Sequence, residues 1–334
     1  MTLRAALRAL RVTALGLGTA TAAYAQPTFA WRGRAFLDYA YVLASDDPDQ
    51  EGAHTFDYRR LYLTADVTLD DAFRARARLE ANGGSTTTEG RPAPFVKDLW
   101  LRWRYAAPGH TATLGVQPPP LFDLSEDVFG YRSLDRTVID RARIRDSRDL
   151  GLRLDGPLVG PVRYAAMVGN GNGVRPDEDG ERGKHVYGQL IADPEGPFVA
   201  TLGADYTAHV PAAAVRQSSA RASALVAVVA ERVRAGVEAF YVSTTLDAPA
   251  PTTQDGLGAS VFGAVDLSAR TAVLARYDYI DAAAGRIGQD EHYVLGAFVF
   301  RPSPAVDVMP NVVVRLPEGA EANALARLTV DVRL

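Results

Sequence analysis

From residue 28 onward the chain consists largely of short segments in which apolar residues alternate with polar or small ones, and Ala72–Ala81, AFRARARLEA, shows the pattern most clearly. Arg74, Arg76 and Arg78 occupy every second position, with Phe73, Ala75, Ala77 and Leu79 between them. Side chains alternate between the two faces of a strand but turn by about 100° per residue around a helix, which would mix the two sets. The segment is therefore a strand. One face requires water and the other an apolar surrounding, either a protein core or lipid.

The same reading predicts sixteen strands, at 29–44, 56–69, 73–82, 95–106, 110–117, 148–155, 160–169, 184–193, 198–209, 220–231, 232–243, 256–267, 270–281, 291–301, 304–314 and 324–334. Long polar connections such as SDDPDQEGAH, GGSTTTEGRPAP and RLPEGAEANA alternate with short ones such as LDDA, DLSAR and RPSPA. An even strand number with long loops at one end and tight turns at the other is the plan of an all-β transmembrane antiparallel β-barrel of an outer membrane. A soluble β-sandwich has no reason to sort its loops this way. Sixteen strands also enclose a lumen wide enough for water.

The faces agree with that plan. In 56–69 the outward set is Leu61, Leu63, Ala65, Val67 and Leu69, with Tyr58, Arg60, Tyr62, Thr64, Asp66 and Thr68 opposite. In 97–105, Leu99, Leu101, Trp103 and Tyr105 oppose Asp98, Trp100, Arg102 and Arg104. Trp31, Tyr39, Tyr41, Trp103, Tyr105, Tyr206, Tyr241, Tyr277 and Tyr279 lie near strand ends on the apolar face, where amphipathic rings suit membrane–water interfaces. The last segment, LARLTVDVRL, is amphipathic like the closing strand that a barrel-assembly machinery reads, although it ends in leucine.

Residues 1–25 have the layout of a secretory signal peptide: arginines at 4, 8 and 11, a short apolar run Val12–Ala20, and the exit Ala23-Tyr24-Ala25. The expected mature domain is 26–334. With no cysteine in 334 residues, disulfides and thiol chemistry are excluded. The formal charge of −4 becomes −7 without the three leader arginines, which argues against nucleic-acid binding. Only Lys97 and Lys184 are lysines, so 34 of the 36 basic residues are arginine. The five histidines, His54, His110, His185, His209 and His292, show no metal-ligand spacing, and no Gly-flanked serine or HExxH occurs, so neither an enzyme nor a cofactor or metal is expected. The acidic run DEDGE, 177–181, has the composition to bind divalent ions or bridge lipopolysaccharide, and a plain solvated loop is the expected reading.

One connection is disproportionate. PPPLFDLSEDVFGYRSLDRTVIDRARIRDSRD follows the strand ending at Gln117, and residues 118–147 are expected to fold inward as a constriction loop. The proline triplet ends the strand. Ser133 is placed to N-cap a short helix with Leu134, Val138 and Ile139 on one face. Regular apolar positions argue for order in a loop this long.

This run, with DYRRLYLTADVTLDDAFRARARLEAN upstream, resembles the phosphate-selective porin O and P family. The resemblance implies a homotrimeric outer-membrane channel in contact with lipid and lipopolysaccharide. It also implies a lumenal arginine ladder matched to Arg32, Arg34, Arg60, Arg74, Arg76, Arg78, Arg102 and Arg104. The lysines of that family have no match, so anions in general, rather than phosphate alone, are the expected solutes. Across the turn at Asp70–Ala72, Thr68 faces Arg74, Asp66 faces Arg76 and Thr64 faces Arg78, so Arg74 and Arg78 are expected to lack a carboxylate partner. On the loop, Arg132, Arg136, Arg141, Arg143, Arg145 and Arg148 are expected to oppose Asp123, Glu126, Asp127, Asp135, Asp140, Asp146 and Asp149 across the pore, or else to pair with them and pin the loop. A non-selective porin, or a binding and adhesion barrel acting through its long loops, remains open on the sequence alone.

Overall fold

A computed structural model describes residues 26–84, 86–105, 108–174, 183–193, 196–209, 216–247, 250–281 and 290–334. The expected leader, 1–25, and the acidic run 177–181 lie outside the described residues. The strands are β1 (Thr28–Ala44), β2 (His54–Thr68), β3 (Phe73–Ala81), β4 (Phe95–Arg104), β5 (Thr111–Gln117), β6 (Asp149–Val159), β7 (Val162–Gly169), β8 (His185–Ala192), β9 (Phe198–His209), β10 (Arg216–Val229), β11 (Val233–Asp247), β12 (Thr252–Ser268), β13 (Thr271–Ile280), β14 (Glu291–Ser303), β15 (Val306–Pro317) and β16 (Asn323–Arg333). Each pairs antiparallel with its neighbours in sequence, and β1 pairs with β16 to close the barrel.

Connections of two to four residues, at 69–72, 160–161, 230–232, 269–270 and 304–305, gather at one end. Those at 45–53, 82–94 and 118–148 gather at the other. The pleat sorts the side chains. In β8, His185, Tyr187, Gln189 and Ile191 are buried toward the interior, while Val186 and Leu190 are about half exposed on the outside. An apolar outer surface of Leu, Val and Phe continues around the strands, and exposed aromatics occur at both ends, Trp31 and Trp103 toward the short turns and Tyr206 and Tyr241 toward the long loops.

Among the register shifts, two β-bulges re-aim charged side chains within segments whose alternation the sequence pattern continued through. The β1–β2 register steps from Phe36↔Arg60 to Leu37↔Tyr58 and skips Arg59, and the β3–β4 register steps from Arg78↔Asp98 to Leu79↔Val96 and skips Lys97. A bulge inserts one unpaired residue and re-aims the side chains around it. Tyr58, expected in the lumen, therefore shares the outer face with Leu37. Arg59 and Lys97 turn inward, bonding Asp38 and Glu80 respectively.

Residues 118–148 lie against the inner wall and contain two helices, α1 (Phe122–Phe129) and α2 (Val138–Arg141). Gly130 ends α1 in the left-handed conformation, φ 75°, as a helix C-terminus commonly requires. Val128, Phe129 and Leu134 pack on Leu225, Phe262, Leu274 and Tyr293 of the wall. Phe122, Val138, Ile139 and Ile144 pack on Phe240, Val242 and Ile280. The expected helix start at Ser133 is not formed: residues 131–134 make a turn, and Thr137 precedes α2. Wall arginines explain the difference, because Arg59 donates to the Ser133 and Leu134 carbonyls and Arg276 to that of Arg136. A helix running on from Ser133 would need those acceptors for itself.

The loop lies so close to β9 that Gly203 is required there. A Cβ at that position would fall 2.0 Å from Leu121 Cδ2, and Leu121 is 3% exposed, leaving it no room to move. We expect Gly203→Val to lift the root of the loop, lower stability by about 1–3 kcal/mol as overpacking does, and open 118–148 to limited proteolysis. Unchanged melting and cleavage would contradict this close approach.

Candidate functional site

Inward-facing strand positions and the loop together line a lumen rich in guanidinium groups. Arg60 donates to Glu80 at 2.8 Å, Arg34 to Asp331 at 2.7 Å and Arg76 to Asp66 at 2.6 Å, while Arg32 also pairs with Asp66. Arg78 is not uncompensated as expected. It donates to Thr64 at 2.9 Å and lies 3.2 Å from Asp98, because a strand residue has neighbours on both sides and β4 supplies the carboxylate that β2 lacks. Arg74 is exposed, without an ion-pair partner among the described residues, and stands directly opposite Arg102.

Arg102 is held by two neutral contacts. Its Nε donates to Thr113 Oγ1 at 3.0 Å, and its guanidinium lies over the Trp100 ring, 4.8 Å from the centroid. Arg76 stacks on the same ring at 5.4 Å. Arg104 donates to the Asp71 carbonyl at the short-turn end. Like charges directly opposite on neighbouring strands repel. Arg74 and Arg102 thus form an unneutralised pair facing the lumen.

The loop residues behave differently. Arg132 bonds Glu126 and Asp140 within the loop, both at 3.1 Å. Arg141 reaches Asp278 and Glu291, Arg145 reaches Asp205, and Arg148 reaches Asp98 on the wall. Asp123 accepts from Arg153 at 3.0 Å, and Asp135 from Tyr293 at 2.6 Å. Ser125 donates to Glu238 at 2.5 Å. Asp149 begins β6 and accepts from Tyr187 at 2.9 Å. Most opposite charges therefore meet in direct contact rather than across open water, with Asp127, Arg143 and Asp146 the exposed exceptions among the predicted loop charges. With the carbonyls of Asp127 and Val128 taken by Arg234 and that of Leu134 by Arg327, the loop is tied to β2, β4, β6, β9, β11, β13, β14 and β16.

Two cavities of about 450 and 470 Å³ flank the loop. The first opens among Arg60, Arg136, Arg143 and Arg221, the second among Arg34, Arg78, Asp127 and Arg132. Lys97 and Arg148 line both. Parity placed Lys97 outside, and only the bulge brings it to this junction. Trp100, Arg153, Arg221 and Arg276 were also passed over as site residues, although each stands between outward apolar or small neighbours in the same alternation that located Arg74.

Burial pushes Arg136 below the usual arginine range against the pull of Asp140, and Arg60, Arg132 and Arg143 push it further in the same direction. Asp127 is raised by burial and by Asp123 and Glu126. Asp135 is depressed: burial alone would raise it, but Arg141, the Tyr293 hydroxyl, Arg276 and Arg327 outweigh that cost.

A closed sixteen-strand barrel with a polar, charged interior and an apolar exterior defines the class of outer-membrane channels. Residues 12–312 match the family model of the Gram-negative porins, and the chain belongs to that family. It is a channel protein of the outer membrane and not an enzyme. The family shown is thus broader than the phosphate-selective one that the loop resembles. A search of curated proteins finds no match. Among solved structures, the anion-selective porin from Comamonas acidovorans is similar with a TM-score of 0.69 at 12% identity, covering 92% of this chain and 100% of that one. The outer-membrane channel DcaP of Acinetobacter baumannii gives 0.67 at 11%, over 92% and 98%. OmpF of Salmonella typhi, in complex with daunomycin, gives 0.62 at 12%, over 92% and 97%. At these identities the likeness is one of fold.

The depressed Asp135 carboxyl gives a stability term with a defined sign. It is present above the unfolded value of about 3.9 and is lost as pH falls through the lower folded value. Asp135→Asn is expected to cost about 1.5–3 kcal/mol near neutrality, the range for hydrogen bonds to charged groups, and the difference from the native chain should vanish in strong acid. Thermal unfolding between pH 7 and pH 2 checks this, the difference holding down to about pH 4 and shrinking steadily below it.

Proposed function

We propose that the channel favours small hydrophilic anions over cations, and that the loop 118–148 sets its narrowest cross-section. The observation that carries this reading is the placement of cations along the lumen. Lys97 and Arg148 stand where the cavities on the two sides of the loop meet. Beyond them toward the short turns lie Arg74 and Arg102, with no carboxylate bonded to either.

Arginine stays protonated, and its planar fork binds carboxylate or phosphate through two parallel hydrogen bonds. Successive inward residues of a strand are about 6.6 Å apart, so an anion passing Arg102 meets a next donor within about one screening length, roughly 8 Å in physiological salt. Cations lining a confined channel raise the local anion concentration and exclude co-ions. Release stays fast because each contact binds weakly. Phosphate is one such solute, and the resemblance of the loop to the phosphate-selective family supports including it. The anion-selective porin from Comamonas acidovorans, similar in fold, agrees with the same reading.

We further propose that residues 1–25 are a cleaved leader, that the barrel-assembly machinery inserts the mature chain beside lipopolysaccharide, and that it works as a homotrimer. Native mass spectrometry of purified protein should read three copies of a chain beginning at Gln26. A monomer, or a retained leader, would remove the corresponding part.

Replacing Arg74, Arg76, Arg102 and Arg104 by glutamate should move the reversal potential in a potassium chloride gradient toward cation preference. Planar-bilayer recording makes the measurement. An unmoved potential would mean that these residues are not the filter, and native protein without anion preference would be a non-selective porin.

A further inference from the structure

The cavity at the long-loop end holds more positive charge than the wall neutralises. Asp205 on β9 is the shared partner of two guanidinium groups and an imidazole: Arg221 at 2.8 Å, Arg145 from the loop, and His185 at 2.6 Å. Arg145 is buried, with 1% of its side chain exposed, yet its Nε and Nη2 have no hydrogen-bond acceptor, and neither has Arg221 Nε. Buried guanidinium donors without acceptors are rare, because each forfeits its hydration for nothing. Phe122, whose ring lies 5.8 Å from the Arg145 guanidinium, offers it only a cation–π contact.

Arg143 adds a free charge to the same cavity. It is exposed, has no ion-pair partner among the described residues, and is held at φ 52°, a conformation that disfavours side chains larger than glycine. Seven cationic side chains line the cavity with three carboxylates, Glu80, Asp140 and Asp146. Asp98, Asp149 and Asp205 behind the lining raise the carboxylates to six, which leaves an excess of one positive charge among the described residues. The volume of about 450 Å³ belongs to the range that accepts an organic molecule rather than a bare inorganic ion.

From these observations we infer that this cavity is a saturable docking site for a small organic dianion, bound by Arg143 at the open side and by the unsatisfied edges of Arg145 and Arg221 at the wall. The inference rests on the lumen being an anion path and adds a stop on that path. A dianion held there meets the cationic lining and gives the orphaned donors their acceptors. It also lies beside Lys97 and Arg148, so its residence obstructs the passage of other anions.

The test measures chloride current through the intact protein in planar bilayers while succinate, glycerol 3-phosphate or acetate is added on one side. Either dianion should reduce the current saturably, and acetate at equal concentration should not. Succinate as the stronger ligand indicates two separate carboxylates, and glycerol 3-phosphate a single doubly charged end. Arg143→Gly, which suits its backbone conformation, and Arg221→Gln should each weaken the block about tenfold, as loss of a charge-assisted hydrogen bond does. Calorimetric titration of detergent-solubilised protein with the dianions gives a second reading independent of channel folding in the bilayer. A native channel whose reversal potential favours chloride but which neither dianion blocks or binds would overturn the site and leave the anion preference standing. A channel without anion preference would overturn the reading on which the site rests. Equal block by acetate would reduce the site to simple screening and overturn it.

Discussion

Closure of β1 onto β16 is the constraint on which everything else depends. In hydrocarbon no water is present to satisfy a backbone N–H or C=O, so a strand edge left open there costs several kcal/mol per group. The ten-residue pairing from Arg34↔Arg333 to Ala44↔Ala324 removes the last edge. Once the ring is closed, each strand has one face toward lipid and one toward water. The alternation of Leu61, Leu63 and Val67 with Arg60, Thr64 and Asp66 follows from that division.

Within the ring, ionic contact does the work that an apolar core does in a soluble domain. The loop 118–148 has apolar anchors in Phe122, Phe129 and Leu134, but its return path is held by Arg141, Arg145 and Arg148 on Asp278, Asp205 and Asp98. Removing one partner of such a buried pair strands the other charge, at a cost of about 3–5 kcal/mol. The loop therefore keeps one position, and the two cavities beside it keep their shapes. Arg74, Arg102 and Arg143 stand apart from this scaffold, with no ion-pair partner among the described residues.

Much of this was legible in the sequence. Sixteen strands, their order and the sorting of long and short connections came from period-two patterning, because a strand that faces lipid and water cannot hide its alternation. The pairing of Asp66 with Arg76 followed from simple counting across a tight turn. Legibility failed where one residue was added or a second neighbour intervened. Arg59 and Lys97 sit at bulges, which shift parity without leaving a mark in local composition. Arg78 gained Asp98 from the strand on its other side, a partner that a single hairpin does not reveal. The helix expected from Ser133 gave way because Arg59 and Arg276, distant in sequence, claim the carbonyls it would have used.

By itself the sequence determined the sidedness of nearly every strand, and with it the barrel, the arginine-rich lumen and the kind of medium on each face. These are local properties, since a residue's face depends only on its parity along its own strand. The tertiary structure alone decided which arginines are neutralised and which are free, where Lys97 points, and how two guanidinium groups come to share Asp205. These depend on partners separated by tens to hundreds of residues, which only the closed ring and the inward fold of the loop bring within hydrogen-bond distance.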